Sequence, residues 1–275
     1  LGMTKLKGIP KSWDGESGEN IRWKVEGGLP GESSPVIWGE RVFVIGATED
    51  RREVSCFDLK DGKLLWREPV VTPAGSRSEP PEVMEMTGYA ASTPVTDGRR
   101  VFAIFANGDL AGFSAEGKPL WSKHLGVPES AYGHASSLAM WRNRVIVLLD
   151  QGGDGEAGKS RIMAFDAATG DEVWANKRRV PNSWASPVVI AVNGRSQVIT
   201  CAEPWVIAYD CETGEEVWRV DCMEGDVAPS PVFMNGLVYV GTEATCLAAI
   251  RPDGTGDVTE THVAWKWDED DRPDM

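Results

Sequence analysis

The chain has 275 residues, a formal net charge of −14 and a hydrophobic fraction of 41%. This composition excludes a disordered polymer, and the excess of acidic residues argues against a surface for nucleic acid or for an anionic membrane. The five cysteines form no CxxC motif and only three histidines are present, so the sequence predicts no metal site.

The first repeated unit, predicted over residues 30–71, contains four strand signals. It starts at Ser34-Pro35-Val36, where the proline suits the first residue of a strand, and an alternating apolar strand follows. A third apolar segment ends at Asp58, and Gly62 supplies a turn before the strand that carries Trp66. An aspartate that can bond its own backbone, followed by Asp-Gly or Thr-Gly, is typical of a tight hairpin.

The same unit recurs along the chain, and its mark is a glycine followed by three residues and a tryptophan. In the first four copies the tryptophans lie 55, 53 and 44 residues apart, which is the period of a four-stranded propeller blade. In the last copy the segment from Thr255 to His262 intervenes before Trp265. We therefore predict an all-β fold, a single β-propeller domain over residues 1–275 with about five four-stranded antiparallel blades. The predicted blades are residues 30–71, 87–125, 132–178, 183–222 and 227–267.

The residue two positions before the hairpin aspartate is small in each copy. Cys56 occupies a position that Gly112, Ala164 and Ala208 fill in the other units. This pattern predicts that Cys56 is a buried core residue and not a reactive thiol.

The two ends of the sequence suggest that the ring continues beyond this chain. Residues 20–25 read as a tryptophan strand whose blade has no preceding strands, and residues 272–275 are similar to the segment that leads into the last blade. We expect five blades plus this orphan N-terminal strand, as part of a ring of seven or eight blades. The alternative is a complete five-bladed ring with residues 20–25 as an extra edge strand.

The repeated phrase Ala-x-Asp-x-x-Thr-Gly-x-x-x-Trp, found at residues 164–174 and 208–218, resembles the tryptophan-docking repeat of the pyrroloquinoline quinone (PQQ)-like β-propellers. Segments such as 88–94 and 183–187 are similar to exported bacterial proteins with PQQ-binding-like repeats, which implies a periplasmic or otherwise exported protein. The start of the given sequence is not a signal peptide. By this resemblance, the tryptophans that pack between neighbouring blades are Trp23, Trp66, Trp121, Trp174, Trp218 and Trp265.

The family resemblance leaves the activity open. The family includes quinoprotein dehydrogenases that hold PQQ and calcium, but the adjacent cysteine pair of the alcohol dehydrogenases is missing here. The family also includes a lipoprotein of the outer-membrane barrel assembly machinery, a non-enzymatic scaffold, but the given sequence has no N-terminal cysteine for lipidation. No GxSxG, HExxH, phosphate-loop or dinucleotide-binding motif is present.

The candidate ligand-binding residues lie in loops that precede or follow the predicted strands near the channel mouth. His134 precedes a strand, and an aromatic residue stands at a similar position in two neighbouring blades. A glycine-rich acidic segment offers oxygen ligands, but its spacing does not fit a calcium loop, so we assign no metal ligand. The candidates are Tyr89, His134, Asp150, Gln151, Arg178 and Trp184. The alternative is that these side chains are packing residues between blades.

Two functions follow as hypotheses. The first is a non-catalytic scaffold without a cofactor, whose channel-mouth loops bind an unknown protein or small molecule. The second is an oxidoreductase that uses PQQ and calcium, which depends on the fold resemblance alone. The sequence identifies no catalytic residue, no nucleic-acid partner and no transmembrane segment.

Overall fold

The computed structural model describes residues 7–76, 80–242 and 247–267, which form almost only β-structure. Within these residues the strands make five sheets, each with four antiparallel strands in chain order. The first sheet contains β1 (Val36–Trp38), β2 (Arg41–Ala47), β3 (Arg52–Asp58) and β4 (Leu64–Pro69). The second contains β5 (Val95–Thr96), β6 (Arg100–Ile104), β7 (Asp109–Ser114) and β8 (Pro119–His124).

The remaining sheets follow the same pattern. The third contains β9 (Ala139–Trp141), β10 (Arg144–Leu149), β11 (Ser160–Asp166) and β12 (Glu172–Arg178), with a short 3₁₀ turn at Gly155–Ala157. The fourth contains β13 (Val188–Val192), β14 (Arg195–Ala202), β15 (Trp205–Asp210) and β16 (Glu216–Asp221). The fifth begins with β17 (Val232–Met234), β18 (Leu237–Val240) and β19 (Ala248–Ile250). After an insertion with β20 (Gly256–Asp257) and α1 (Thr259–His262), it ends with β21 (Val263–Lys266). The prediction of an all-β propeller built from four-stranded blades is confirmed, whereas the number of blades in the ring stays a prediction.

The aspartate hairpin joins the third and fourth strands of a blade as the repeat predicts. In the third sheet, the Asp166 carboxylate accepts hydrogen bonds from the backbone N–H groups of Ala168 and Thr169 at 2.8 and 3.0 Å. The N–H of Gly170 donates to the Asp166 carbonyl, and this glycine has φ of +76°. A side chain at that φ is strained, so the turn favours glycine.

A small residue faces each docking tryptophan across the third and fourth strands. Cys56 is the register partner of Trp66 and Ala208 is that of Trp218, and a β-bulge follows immediately in both pairs. In the second sheet, where Gly112 occupies this position opposite Trp121, an added Cβ would lie 2.9 Å from the indole. Cys56 is fully buried, and burial raises the pKa of its thiol to about 11.

The hydrophobic core lies between the sheets. Four clusters of buried side chains each join two consecutive sheets, so alternate residues of one strand contribute to different clusters. On β6, Val101 and Ala103 face the first sheet, whereas Phe102 and Ile104 face the third sheet. Successive residues of a strand point to opposite faces of the sheet, and neighbouring sheets cover both faces of each inner blade. Both sets of alternate residues are therefore apolar, and the strands read as continuous apolar runs.

Two segments depart from the simple repeat. The insertion of the fifth blade pairs β20 parallel to β16, which adds a fifth strand to the fourth sheet. The orphan strand predicted at residues 20–25 is not formed, since these residues are in turns and irregular structure. Residues 272–275, on which the comparison of chain ends depended, lie outside the described residues. In the part of the chain that the structure describes, no helix has the length and apolarity to cross a membrane.

Candidate functional site

Four tryptophans dock on the next blade with one shared geometry. The indole N–H donates to the carbonyl of the residue that follows the hairpin aspartate, or the serine that replaces it in the second blade. The donor–acceptor pairs are Trp23 to Leu59 at 2.9 Å, Trp66 to Ala115 at 2.9 Å, Trp121 to Ala167 at 3.2 Å and Trp174 to Cys211 at 3.3 Å. The ring also covers the glycine of that turn: a Cβ added at Gly214 would lie 2.5 Å from Trp174.

Trp218 reaches the fifth blade through a side chain. Its indole N–H donates to Gln197 Oε1 at 2.9 Å, and Gln197 Nε2 donates to the Pro252 carbonyl at 3.2 Å. In the repeat, Pro252 occupies the position of Cys211, whose carbonyl accepts directly from Trp174. The Gln197 side chain therefore links Trp218 to the carbonyl at the position to which the other tryptophans donate directly. Trp218 is fully buried. Trp265 packs against Tyr239 and remains 39% exposed.

Hydroxyl groups connect the blades along the propeller axis. The first strands of neighbouring sheets lie beside one another, so they are the innermost strands. Just before the first strand of each of the first four blades, a backbone N–H donates to a hydroxyl of the next blade. The pairs are Ser34 to Thr93 at 3.2 Å, Thr93 to Ser137 at 3.0 Å, Ser137 to Ser186 at 3.0 Å and Ser186 to Ser230 at 2.9 Å. This ladder gives the serine or threonine of each blade-opening phrase a role in blade spacing.

Two of the candidate ligand residues form an ion pair in the interior. Asp150 accepts from Arg178 Nε at 2.7 Å and Nη2 at 3.0 Å, and both side chains are fully buried. Ser183 Oγ also donates to Asp150, while Arg178 Nη1 contacts Thr200 and Tyr209 at 2.8 and 2.7 Å. Burial alone would lower the pKa of Arg178, but the Asp150 carboxylate outweighs it and the pKa is raised. These charges neutralise each other between the third and fourth sheets, which corrects the expectation that they face a ligand at the mouth.

His134 is also an interior residue. Its Nδ1 lies 3.3 Å from Ser92 Oγ, which also donates to the His134 carbonyl at 2.9 Å. Only 3% of the residue is exposed, and burial lowers the pKa of the imidazole to about 4. Its Nε2 is buried without a hydrogen-bond partner. The ring is therefore neutral at physiological pH and packs between blades, as the alternative interpretation of this residue predicts.

The other three candidates lie in loops outside the strands. Gln151 connects two loops of the third blade, because its Oε1 accepts from the Glu129 N–H and its Nε2 donates to the Lys159 carbonyl. Tyr89 is half-buried and lines a cavity of about 240 Å³. Trp184 is half-buried and meets Tyr132 edge-to-face with ring centroids 5.0 Å apart.

A surface strip of apolar side chains extends from Trp184 across two further loops. We call Met84, Met86, Tyr132 and Trp184 the mouth strip. The Met84 N–H donates to the Ala131 carbonyl at 3.1 Å, which joins the two loops. Met84 is 45% exposed and Met86 is 74% exposed. Sequence reasoning missed the methionines because nothing in the loop sequence tells which side chains face solvent.

The described residues include no cluster of metal-ligating side chains and no exposed thiol. Among them, no three His, Cys, Asp or Glu side chains are close enough to hold a metal ion. The four described cysteines are all buried, and burial raises the pKa of each thiol. The repeated docking geometry defines the class of the protein: a tryptophan-docking β-propeller of the PQQ-like type.

The comparison with known families agrees with this class and is more specific. Residues 11–157 and 158–275 match the family described as outer membrane protein assembly factor BamB, and the chain belongs to that family. Curated relatives of that description include proteins from Alkalilimnicola ehrlichii and Xanthomonas campestris. The first is 30% identical over 163 residues, which are 59% of this chain and 37% of the relative. The second is 24% identical over 220 residues, which are 80% of this chain and 48% of the relative.

Solved structures show the same fold at low sequence identity. BamB from Moraxella catarrhalis matches with a TM-score of 0.60 and 17% identity, over 90% of this chain and 66% of that one. A europium-containing methanol dehydrogenase matches with a TM-score of 0.61 and 14% identity, over 84% of this chain and 50% of that one. The chain spans less than half the length of the curated relatives named above.

Proposed function

We propose that this chain is a non-catalytic periplasmic scaffold that holds a protein partner in the assembly of outer membrane proteins. Membership of the assembly-factor family supports the role. The observation that carries the binding site is the mouth strip, in which Met84 and Met86 are exposed on a loop that the Met84 N–H joins to the Ala131 carbonyl.

The composition of the mouth strip suits a protein partner. Methionine side chains are flexible and polarisable and adapt to irregular surfaces, and aromatic residues are enriched in protein interfaces. The aromatic pair at one end is fixed, because Trp184 Nε1 also donates to Ser130 Oγ at 3.2 Å. The methionines at the other end are free to adjust to a partner.

The interior beneath the loops provides a rigid support. The Asp150–Arg178 pair and its hydroxyl partners tie the loop after β10 to the fourth sheet. A buried network with every charge satisfied holds one arrangement of the blades. The loops above it therefore present their side chains at fixed separations, as a binding scaffold requires.

Binding is tested with the full chain immobilised and exposed to a detergent-solubilised envelope fraction of its own bacterium. We expect retention of envelope proteins that act in outer membrane protein assembly, identified by mass spectrometry. Met84→Glu places a charge in the mouth strip and should reduce that retention at least about tenfold. Met234→Glu is the matched control, since Met234 is 39% exposed at the opposite end of the innermost strands. Equal retention by the two variants, or none by the unaltered chain, would refute the proposal.

The structural match to dehydrogenases makes a PQQ- and calcium-dependent oxidoreductase the second candidate. The residues present do not fit that cofactor pair: the buried Asp150 carboxylate is occupied by Arg178 and Ser183, and the described residues contain no donor cluster for a cation. Titration of the purified chain with PQQ and Ca²⁺ should give no saturable absorbance change. Saturable binding with dye reduction would establish the dehydrogenase instead.

A further inference from the structure

The cleft between the second and third sheets has an unusual lining. Trp121 closes one end of it by docking on the third blade. Beyond Trp121, alternate residues of β8 and β11 face each other across the cleft, and the Lys123 ammonium lies 5.9 Å from the centre of the Phe165 ring. Arg161 lies on the same face of β11 as Phe165, four residues earlier.

The sheet register adds a third base on that face. Arg161 is the cross-strand partner of Lys177 on β12. Partners in an antiparallel pair project from the same face, and like charges directly opposite each other are destabilising. We call Lys123, Arg161 and Lys177 the cationic cleft.

The equivalent positions of the other blades carry no such set. The position of Lys123 is Glu68 in the first blade and Val220 in the fourth. The residues equivalent to the Arg161–Lys177 pair are Asp109 and His124 in the second blade and Trp205 and Asp221 in the fourth. The repeat therefore does not require bases here, and the cationic cleft is a departure that packing does not explain.

The three bases of the cationic cleft have no counter-ion in the part of the chain that the structure describes, since no carboxylate there lies within ion-pair distance of any of them. Basic residues close by in the sequence do have one: Lys159 pairs with Glu129, and Arg179 Nη1 lies 3.9 Å from Glu156. In a chain with a net charge of −14, three unpaired bases at one cleft mark a local positive potential.

A cavity of about 440 Å³ lies at the cleft, and Lys123, His124 and Arg161 line it together with Glu172. This volume is in the range of small-molecule sites. His124 is held in place by its Nδ1, which lies 2.8 Å from Asp109 Oδ1. Asp109 is itself fixed by Thr72 and Asn107 at 2.5 and 2.8 Å. The Nε2 of His124 has no hydrogen-bond partner among the described residues.

We propose that the cationic cleft binds a carboxylate-bearing ligand. The Lys123 ammonium and the Arg161 guanidinium line the cavity and, with the Lys177 ammonium opposite Arg161, supply donors for several carboxylate oxygens. Charge-assisted bonds of this kind are strong. The carboxylates come either from a free small polycarboxylate or from acidic side chains of a peptide. The site lies at the perimeter between two blades, so it is independent of the mouth strip.

The test is calorimetric titration of the full chain at low ionic strength with two probes, citrate and a penta-glutamate peptide. The double variant Lys123→Gln/Arg161→Gln should weaken binding at least about tenfold. Arg99→Gln/Arg51→Gln is the matched control. It removes the same charge at two arginines that do not line the cavity and that form no ion pair with the described residues. Thermal melts confirm that both variants are folded.

Binding of citrate with equal or greater affinity than the peptide supports a free polycarboxylate, and tighter binding of the peptide supports an acidic segment. Added NaCl should weaken either complex, because the cleft is open and salt screens its charges. The proposal is overturned if neither probe binds, or if the control variant loses as much affinity as the cleft variant.

Discussion

Replacing three docking tryptophans by alanine should destabilise the propeller in a graded order. Trp218 is fully buried, Trp174 is 9% exposed and Trp265 is 39% exposed. A tryptophan that buries about 200 Å² at about 25 cal/mol per Å² gives gross burial terms of about 5, 4.5 and 3 kcal/mol for the three residues. These areas refer to an extended unfolded chain and are upper bounds.

Lost hydrogen bonds and the cavities left behind increase the difference in destabilisation among the three variants. Removal of Trp218 leaves Gln197 Oε1 without its indole donor, which adds about 1–3 kcal/mol. Removal of Trp174 leaves a closed cavity and should cost about 3–5 kcal/mol. The Trp265 site is open to solvent, so water fills the space and its variant should cost at least about 2 kcal/mol less than the Trp218 variant.

The assay is urea unfolding followed by far-UV circular dichroism, which avoids the change in tryptophan fluorescence. All three variants are compared with the unaltered chain under one condition, and free energies come from the transition midpoints. If Trp265→Ala costs as much as Trp218→Ala, or if Trp218→Ala costs less than about 1 kcal/mol, then burial between blades is not what these residues contribute.

Three further predictions concern the interior. Gly214→Ala should destabilise by at least about 1 kcal/mol more than Gly194→Ala in the same urea assay. Both glycines have positive φ, but only at Gly214 would a Cβ collide with the docked indole; equal costs would mean that the ring moves freely. His134 should contribute about 3 kcal/mol of stability above pH 6.5 that is lost as the pH falls to about 4. The folded pKa is about 4 and the unfolded value is 6.5, so the unfolded state binds the proton first. The same pH dependence in His134→Gln would contradict this. Asp150→Ala should cost about 3–5 kcal/mol because it leaves Arg178 buried and unpaired, and Asp150→Leu/Arg178→Met should restore most of that loss; a double variant as unstable as the single one would show that the unpaired charge is not the cause.

The tryptophan repeat was the most predictable feature of the chain. A turn fixed by an aspartate and a glycine, with the tryptophan four residues later, determines where the indole leaves the hairpin. In the structure, Trp66, Trp121 and Trp174, together with Trp23, donate to the same position of the repeat in the next blade, and each indole covers the glycine of that blade's turn. Trp218 could not be predicted in this detail, because its contact with Pro252 of the fifth blade runs through the side chain of Gln197 on a different strand of its own blade.

The candidate site was much less predictable. The acidic, glycine-rich segment around Asp150 has the composition of a ligand loop, and an arginine at the end of a strand could equally face solvent. Only the arrangement of the third and fourth sheets shows that Asp150 and Arg178 meet in the interior, 28 residues apart in sequence. The cationic cleft escaped sequence analysis for the same reason, since its bases come from two blades.

The sequence by itself determined the blade, because a period of two within strands, a turn every few residues and one tryptophan per unit are local properties. The tertiary structure alone decided which polar and charged side chains are buried in pairs and which remain unpaired at the surface. That outcome depends on how the strands of a blade and the neighbouring blades pack, and the repeat fixes the spacing of the blades but not the charges that they bring together.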